Sequence, residues 1–145
     1  MSATRSFFTD EQVALIGSAI AQAEDKTSGE IRVHLDSKCK IDPIIAAEKW
    51  FGKLNMHKTE LRNGVLIYLA IESKVFAIYG DKGINDRVPA NFWNEISKNA
   101  EQNFRQGKFV EGLTEAIRAA GDQLATFFPR QADDKNELTN DISFK

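Results

Sequence analysis

Arg62-Asn63-Gly64-Val65-Leu66-Ile67-Tyr68-Leu69 runs on to Ile71, turns at Glu72-Ser73-Lys74, and resumes as Val75-Phe76-Ala77-Ile78-Tyr79 before Gly80-Asp81-Lys82-Gly83. The run from Val65 to Ile71 is apolar without alternation, which marks a strand covered on both faces. The short polar turn predicts an antiparallel hairpin with the next strand. Polar and small residues gather at the outer ends of both runs, where a site can be built on a rigid sheet.

Working outward, Glu30 to Leu35 alternates strictly, with Ile31, Val33 and Leu35 on one face and Glu30, Arg32 and His34 on the other. This predicts a strand with one less-buried face. Before it, Thr9 and Gln12 have capping-box spacing, Phe8 and Val13 fit a hydrophobic staple, and Val13, Ile16, Ile20 and Ala23 form an apolar stripe. Asp42-Pro43 opens a second helix with a stripe of Ile44, Ala47, Phe51 and Leu54. A third helix is expected from Pro89, facing inward with Phe92, Trp93, Ile96, Ala100 and Phe104. A fourth is expected from about Lys108 to Phe128, stopped by Pro129.

The order α-β-α-β-β-α-α makes the first crossover right-handed and parallel. The expected fold is a three-layer α/β/α sandwich, with a mixed, mainly parallel sheet of about three to four strands, a β-hairpin and about four main helices. Residues 1–129 are read as one domain and residues 130–145, polar and aperiodic, as a flexible tail.

The 145 residues carry a net charge of −2, and their Lys and Arg are scattered among acids, which argues against nucleic acid as a partner. Cys39 is the only cysteine, so the chain can form no internal disulfide. No signal-like or membrane-spanning stretch is present, so a cytoplasmic monomer is expected. Phosphate-loop, dinucleotide-binding, zinc-protease, EF-hand and serine-elbow motifs are all missing. His34 and His57 share no motif and are read as satisfied or surface histidines, and Trp50 and Trp93 as core.

Parallel strands one and two start at the same end of the sheet, and antiparallel strand three finishes there. Ser28-Gly29-Glu30, Arg62-Asn63-Gly64 and Gly80-Asp81 with Asp86 are therefore expected to converge. Glu30, Asn63, Asp81 and Asp86 would supply hard oxygen ligands suited to Ca²⁺ or Mg²⁺. The alternative is structural: Glu30 pairs with Arg62, Asp81 caps a turn, and Asp86 caps the helix at Pro89.

Phe8 to Pro129 resembles the TPM domain family. The resemblance is carried by the leading helix, Thr27-Ser28-Gly29-Glu30-Ile31-Arg32-Val33, Arg62-Asn63-Gly64-Val65-Leu66-Ile67, Tyr79-Gly80-Asp81-Lys82-Gly83-Ile84 and the last two helices. The family is known for α/β sandwiches, for plant thylakoid members described as acid phosphatases, and for an association with divalent cations. Many bacterial relatives carry a signal peptide, a membrane anchor and a Gly-rich tail. This chain looks like the short stand-alone bacterial type. The resemblance implies a metal-assisted phosphatase in which Asp81 or Asp86 acts as acid or nucleophile and Arg62 orients a phosphorylated ligand. The other reading is a non-enzymatic module that binds a protein partner, its acidic loop stabilised by the ion.

Overall fold

The computed structural model describes residues 7–130 and 142–144. In chain order the elements are α1 (Asp10–Glu24), β1 (Glu30–Asp36), α2 (Pro43–Lys53), β2 (Gly64–Ala70), β3 (Val75–Gly80), α3 (Lys82–Asn85), α4 (Asn94–Arg105), α5 (Phe109–Phe127) and β4 (Ser143–Phe144). The sheet order is β3-β2-β1-β4. β1 runs parallel to β2, from Glu30 opposite Gly64 to Asp36 opposite Ala70, and β3 returns antiparallel with Val65 opposite Gly80.

The three-layer expectation holds. All seven residues of β2 are buried. Val65, Ile67 and Leu69 join Ile31, Val33 and Leu35 on one face, under Ile16, Ile20, Phe104, Leu113, Ile117 and Leu124 of α1, α4 and α5. Leu66, Tyr68 and Ala70 face the other way, against Ala46, Ala47, Phe51 and Met56 of α2 and its C-terminal turn. The N-terminus of α1 carries the expected capping box, with Thr9 Oγ1 accepting from the Gln12 amide and the Gln12 side chain accepting from the Thr9 amide. Asp42 caps α2 by accepting from the Ile44 amide at 2.8 Å, with Pro43 at the first helical position.

Four expectations change. The third long helix begins at Asn94 rather than Pro89, because Pro89 to Trp93 forms successive turns. Ile44 is 52% exposed; Ala46 takes an inward position beside Ala47, because the helix turns the face carrying Ala46, Ala47 and Phe51 to the sheet. The Glu30–Arg32–His34 face of β1 is covered: Glu30 and His34 are only 3% and 1% exposed, and the Trp50 ring of α2 stacks on His34 at 4.0 Å. The tail is not wholly loose. Ser143 and Phe144 add β4, parallel to β1 opposite His34 and Leu35, and Ile142 enters the core; residues 131–141 lie outside the described residues. The Ser143 hydroxyl lies 2.7 Å from His34 Nδ1, giving that buried imidazole a partner.

The α1–α5 contact is set by Gly121, where an added Cβ would lie 2.7 Å from Ala23 Cβ. At Gly17, on the same α1 helix, an added Cβ meets nothing within 4 Å. Gly121→Val is therefore expected to destabilise by about 1–3 kcal/mol through overpacking. Gly17→Ala is expected to stabilise by about 1 kcal/mol through helix propensity. Urea unfolding of both variants checks the contrast; equal effects would mean that the two helices do not approach closely at Gly121.

Candidate functional site

The expected convergence at the strand starts is found, with different partners. The Arg62 guanidinium donates to Asp81 twice, from Nε to Oδ2 at 2.8 Å and from Nη2 to Oδ1 at 2.9 Å. Asp81 Oδ1 also accepts from the Lys82 amide at 2.7 Å and so caps α3. Asp81 is 4% exposed, so its charge is removed from water and matched in a bidentate pair. Arg62 thus pairs with Asp81, where the structural alternative pairs it with Glu30.

Backbone geometry locks this corner. Arg62 sits at φ 50, a left-handed conformation that costs a residue with a Cβ roughly 1–2 kcal/mol. Its carbonyl accepts from the Gly83 amide at 2.9 Å, and the Gly64 carbonyl accepts from the Asp81 amide at 2.9 Å. A Cβ on Gly83 would lie 2.6 Å from the Arg62 carbonyl oxygen, and closer still to that of Leu61. Only glycine lets α3 start so near this loop.

Asn63 is buried and donates from Nδ2 to the Ser28 carbonyl at 3.1 Å, while its own carbonyl accepts from the Glu30 amide at 3.2 Å. It fastens the start of β2 to the turn before β1. Asp86 follows α3 as its C-terminal cap residue and is exposed. It does not cap the long helix beyond Pro89, which starts at Asn94. Among the described residues, no three His, Cys, Asp or Glu side chains gather around a point where they could hold a metal ion.

The strongest electrostatic feature of this end is a residue outside the expected set. Glu24, the last residue of α1, is 7% exposed and accepts from the Ile31 amide at 2.8 Å through Oε2. Burial pushes its carboxyl up to about 7, and the nearby Glu30 charge adds to the rise; the Ile31 hydrogen bond and Arg130 oppose it. The Arg130 guanidinium donates to the Glu24 backbone carbonyl at 3.0 Å. The sequence holds a signal for this: Glu24 lies four residues after Ile20 and eight after Ile16, within the apolar stripe of α1. An acid in a buried stripe is an informative exception.

Sequence reasoning thus places Glu30, Arg62, Asn63 and Asp81 correctly at one end of the sheet. Arg62 and Asp81 are committed to each other and Asn63 to the turn. Glu24 and Glu30 are the buried acids that lie near each other at this end, and the Glu30 charge adds to the rise of the Glu24 carboxyl.

The Glu24 shift has a consequence for stability. Its folded value of about 7 lies above the ordinary 4.5, so the folded state holds the proton more tightly than the unfolded chain. Its contribution to stability is complete below pH 4.5 and is lost as pH rises through about 7. Glu24→Gln keeps an acceptor for Ile31 and removes the buried charge. At pH 8 it is expected to be more stable than the parent by about 2 kcal/mol, with the advantage gone at pH 4.5. Urea unfolding across this range checks it; a pH-independent difference would mean that Glu24 is freely hydrated.

Comparison with known proteins adds identity to this geometry. The family model of the TPM domain matches residues 2–123. The solution structure of BA42 protein from the psychrophilic bacterium Bizionia argentinensis is 48% identical, superposes with a TM-score of 0.91, and each chain covers 100% of the other. The N-terminal domain of cg2496 protein from Corynebacterium glutamicum shares the fold at 12% identity and TM-score 0.63, over 92% of this chain and 81% of that one. A P. gingivalis N-terminal domain does so at 18% and 0.68, over 83% and 78%. No curated protein sequence matches the chain. With the family match spanning most of the sequence and a full-length structural relative at nearly half identity, the chain belongs to the TPM domain family.

Proposed function

We propose that this chain is a binding module that takes a divalent cation of the calcium or magnesium type at the start of β1, and that it is not a phosphatase. The observation that carries the reading is the Glu24–Glu30 pair. Two acids lie near each other under cover, and one is pushed up to about 7 by burial and by its neighbour. A hard cation relieves the repulsion and replaces the lost hydration of the carboxylates. Mg²⁺ is commonly held by one or two carboxylates while keeping several of its waters, so two acids suffice for a partly hydrated ion. Asn63 and nearby backbone carbonyls are the further oxygen donors of this end. Arg130 lowers the charge cost of Glu24, so an ion competes with a guanidinium already present and binds weakly.

The phosphatase reading asks more of Asp81, Asp86 and Arg62. A nucleophile or general acid needs an available carboxyl oxygen, and an anion clamp needs an available guanidinium. Arg62 and Asp81 hold each other in a bidentate pair, and the third hydrogen bond to Asp81 is the helix cap. Asp86 is exposed beyond α3. These commitments weigh against turnover at this corner.

A Ca²⁺ and Mg²⁺ titration followed by amide chemical shifts tests the proposal. Saturable shifts are expected at residues 24–31 and 63, abolished in Glu24→Gln while the rest of the spectrum stays native. Because Glu24 holds its proton to about pH 7, affinity is expected to be higher at pH 8 than at pH 6. No saturable shift at millimolar ion, or an identical titration in Glu24→Gln, overturns the site. Hydrolysis of an aryl phosphate that is lost in Asp81→Asn would restore the enzymatic reading.

A further inference from the structure

The other end of the sheet, roughly 20 Å away along β1, holds a cleft of about 350 Å³ between the β1–α2 loop, the first turns of α2 and the end of β2. Its size is that of a small-ligand site. Lys38, Lys40 and Lys49 contribute to its lining, and Asp36 is the one acid among the residues around it. Asp36 is 6% exposed and already engaged: its Oδ2 accepts from the Tyr68 hydroxyl at 2.9 Å and its Oδ1 from the Ser37 amide at 3.0 Å. Burial and the neighbouring Asp36 push the Tyr68 phenol up, so it stays neutral and adds no negative charge. Lys38 has a long contact of 3.9 Å with exposed Glu72. The balance is cationic.

The cleft is also apolar on one side. The Trp50 indole forms part of its wall and is held in place by stacking on buried His34. Ile41 is 51% exposed at its rim, an apolar side chain left in water. The position in the fold is favourable: parallel β1 and β2 both run toward this end, and α2 starts beside it. Open α/β sheets bind ligands in the crevice outside the carboxyl ends of the strands.

We propose that this cleft binds a small organic anion, with a planar or apolar body against Trp50 and Ile41 and its negative group on Lys40 and Lys49. Neither half of the ligand is enough alone. Exposed lysines hold a bare phosphate weakly because water competes, and an uncharged ring gains only the modest apolar area of a cleft this open. The site is separate from the acidic end and does not depend on cation binding there.

Phenyl phosphate is the probe, with inorganic phosphate and benzyl alcohol as its two halves, followed by amide shifts on the full chain. Expected are saturable phenyl phosphate shifts at residues 36–41 and 46–50, with at least tenfold weaker response from either half. Lys40→Ala/Lys49→Ala, at exposed positions, is expected to keep a native spectrum and weaken phenyl phosphate at least tenfold. Shifts that stay linear or spread over the surface overturn the proposal. So does a titration in which either half performs as well as the whole, or one unchanged in the double variant. Trp50→Phe separates stacking from charge: it is expected to weaken phenyl phosphate and leave the inorganic phosphate response unaltered.

Discussion

The burial of β2 over its whole length constrains everything else. A strand apolar on both faces is stable only with a helical layer on each side and a hydrogen-bonded neighbour at each edge. α2 supplies one layer, and α1, α4 and α5 supply the other. β3 fills one edge and β1 the other. β1 is then left with an open edge of its own, and with a buried histidine and carboxylates on its α2 side. β4 answers this need: two residues from the far end of the chain pair with β1, and the Ser143 hydroxyl meets His34. Burial of the centre thus extends outward to β1, where β4 pairs opposite His34 and Leu35 and Ser143 meets the buried imidazole.

How much of this was legible depends on the range of the signal. The capping box at Thr9, the Asp42-Pro43 start and the unalternating Val65–Ile71 run are local chemistry, and each appears where its pattern stands. The failures are non-local. Alternation in β1 reads as a half-exposed strand, because nothing near Glu30 or His34 in sequence announces that Trp50 and Ser143 will cover that face. The tail reads as polar, since two residues of pairing are too few to leave a periodic signal. Ile44 and Ala46 are both apolar, and the local pattern does not say which of them lies on the face that α2 turns to the sheet.

The candidate site shows the same division. Topology alone brings Glu30, Asn63, Arg62 and Asp81 to one end, because parallel strands share a starting edge. Topology does not decide which charge takes which partner. Arg62 can meet Asp81 rather than Glu30 because its backbone is turned into a left-handed conformation, and that turn is held by the Gly83 amide approaching the Arg62 carbonyl. Gly83 permits the close approach that holds this turn, and the bidentate pair engages both carboxylate oxygens of Asp81. Glu24 was legible in principle, as an acid inside an apolar stripe, yet its meaning depends on Glu30 and Arg130, which the helix pattern does not contain.

The two ends of the sheet now differ in a way that follows from how each is closed. At the strand starts the chain enters through glycine- and asparagine-tied turns, which bring backbone close to backbone and bury the acids that ride on them. Glu24, packed beside them, is pushed up to about 7 by burial. At the strand ends β1 leaves through the loop from Ser37 to Ile41, which spans to α2 without packing tightly and keeps its lysines in water around a stacked indole. The two ends of the sheet therefore differ in how their connections close, by tied turns at the strand starts and by a lysine-bearing loop at the strand ends.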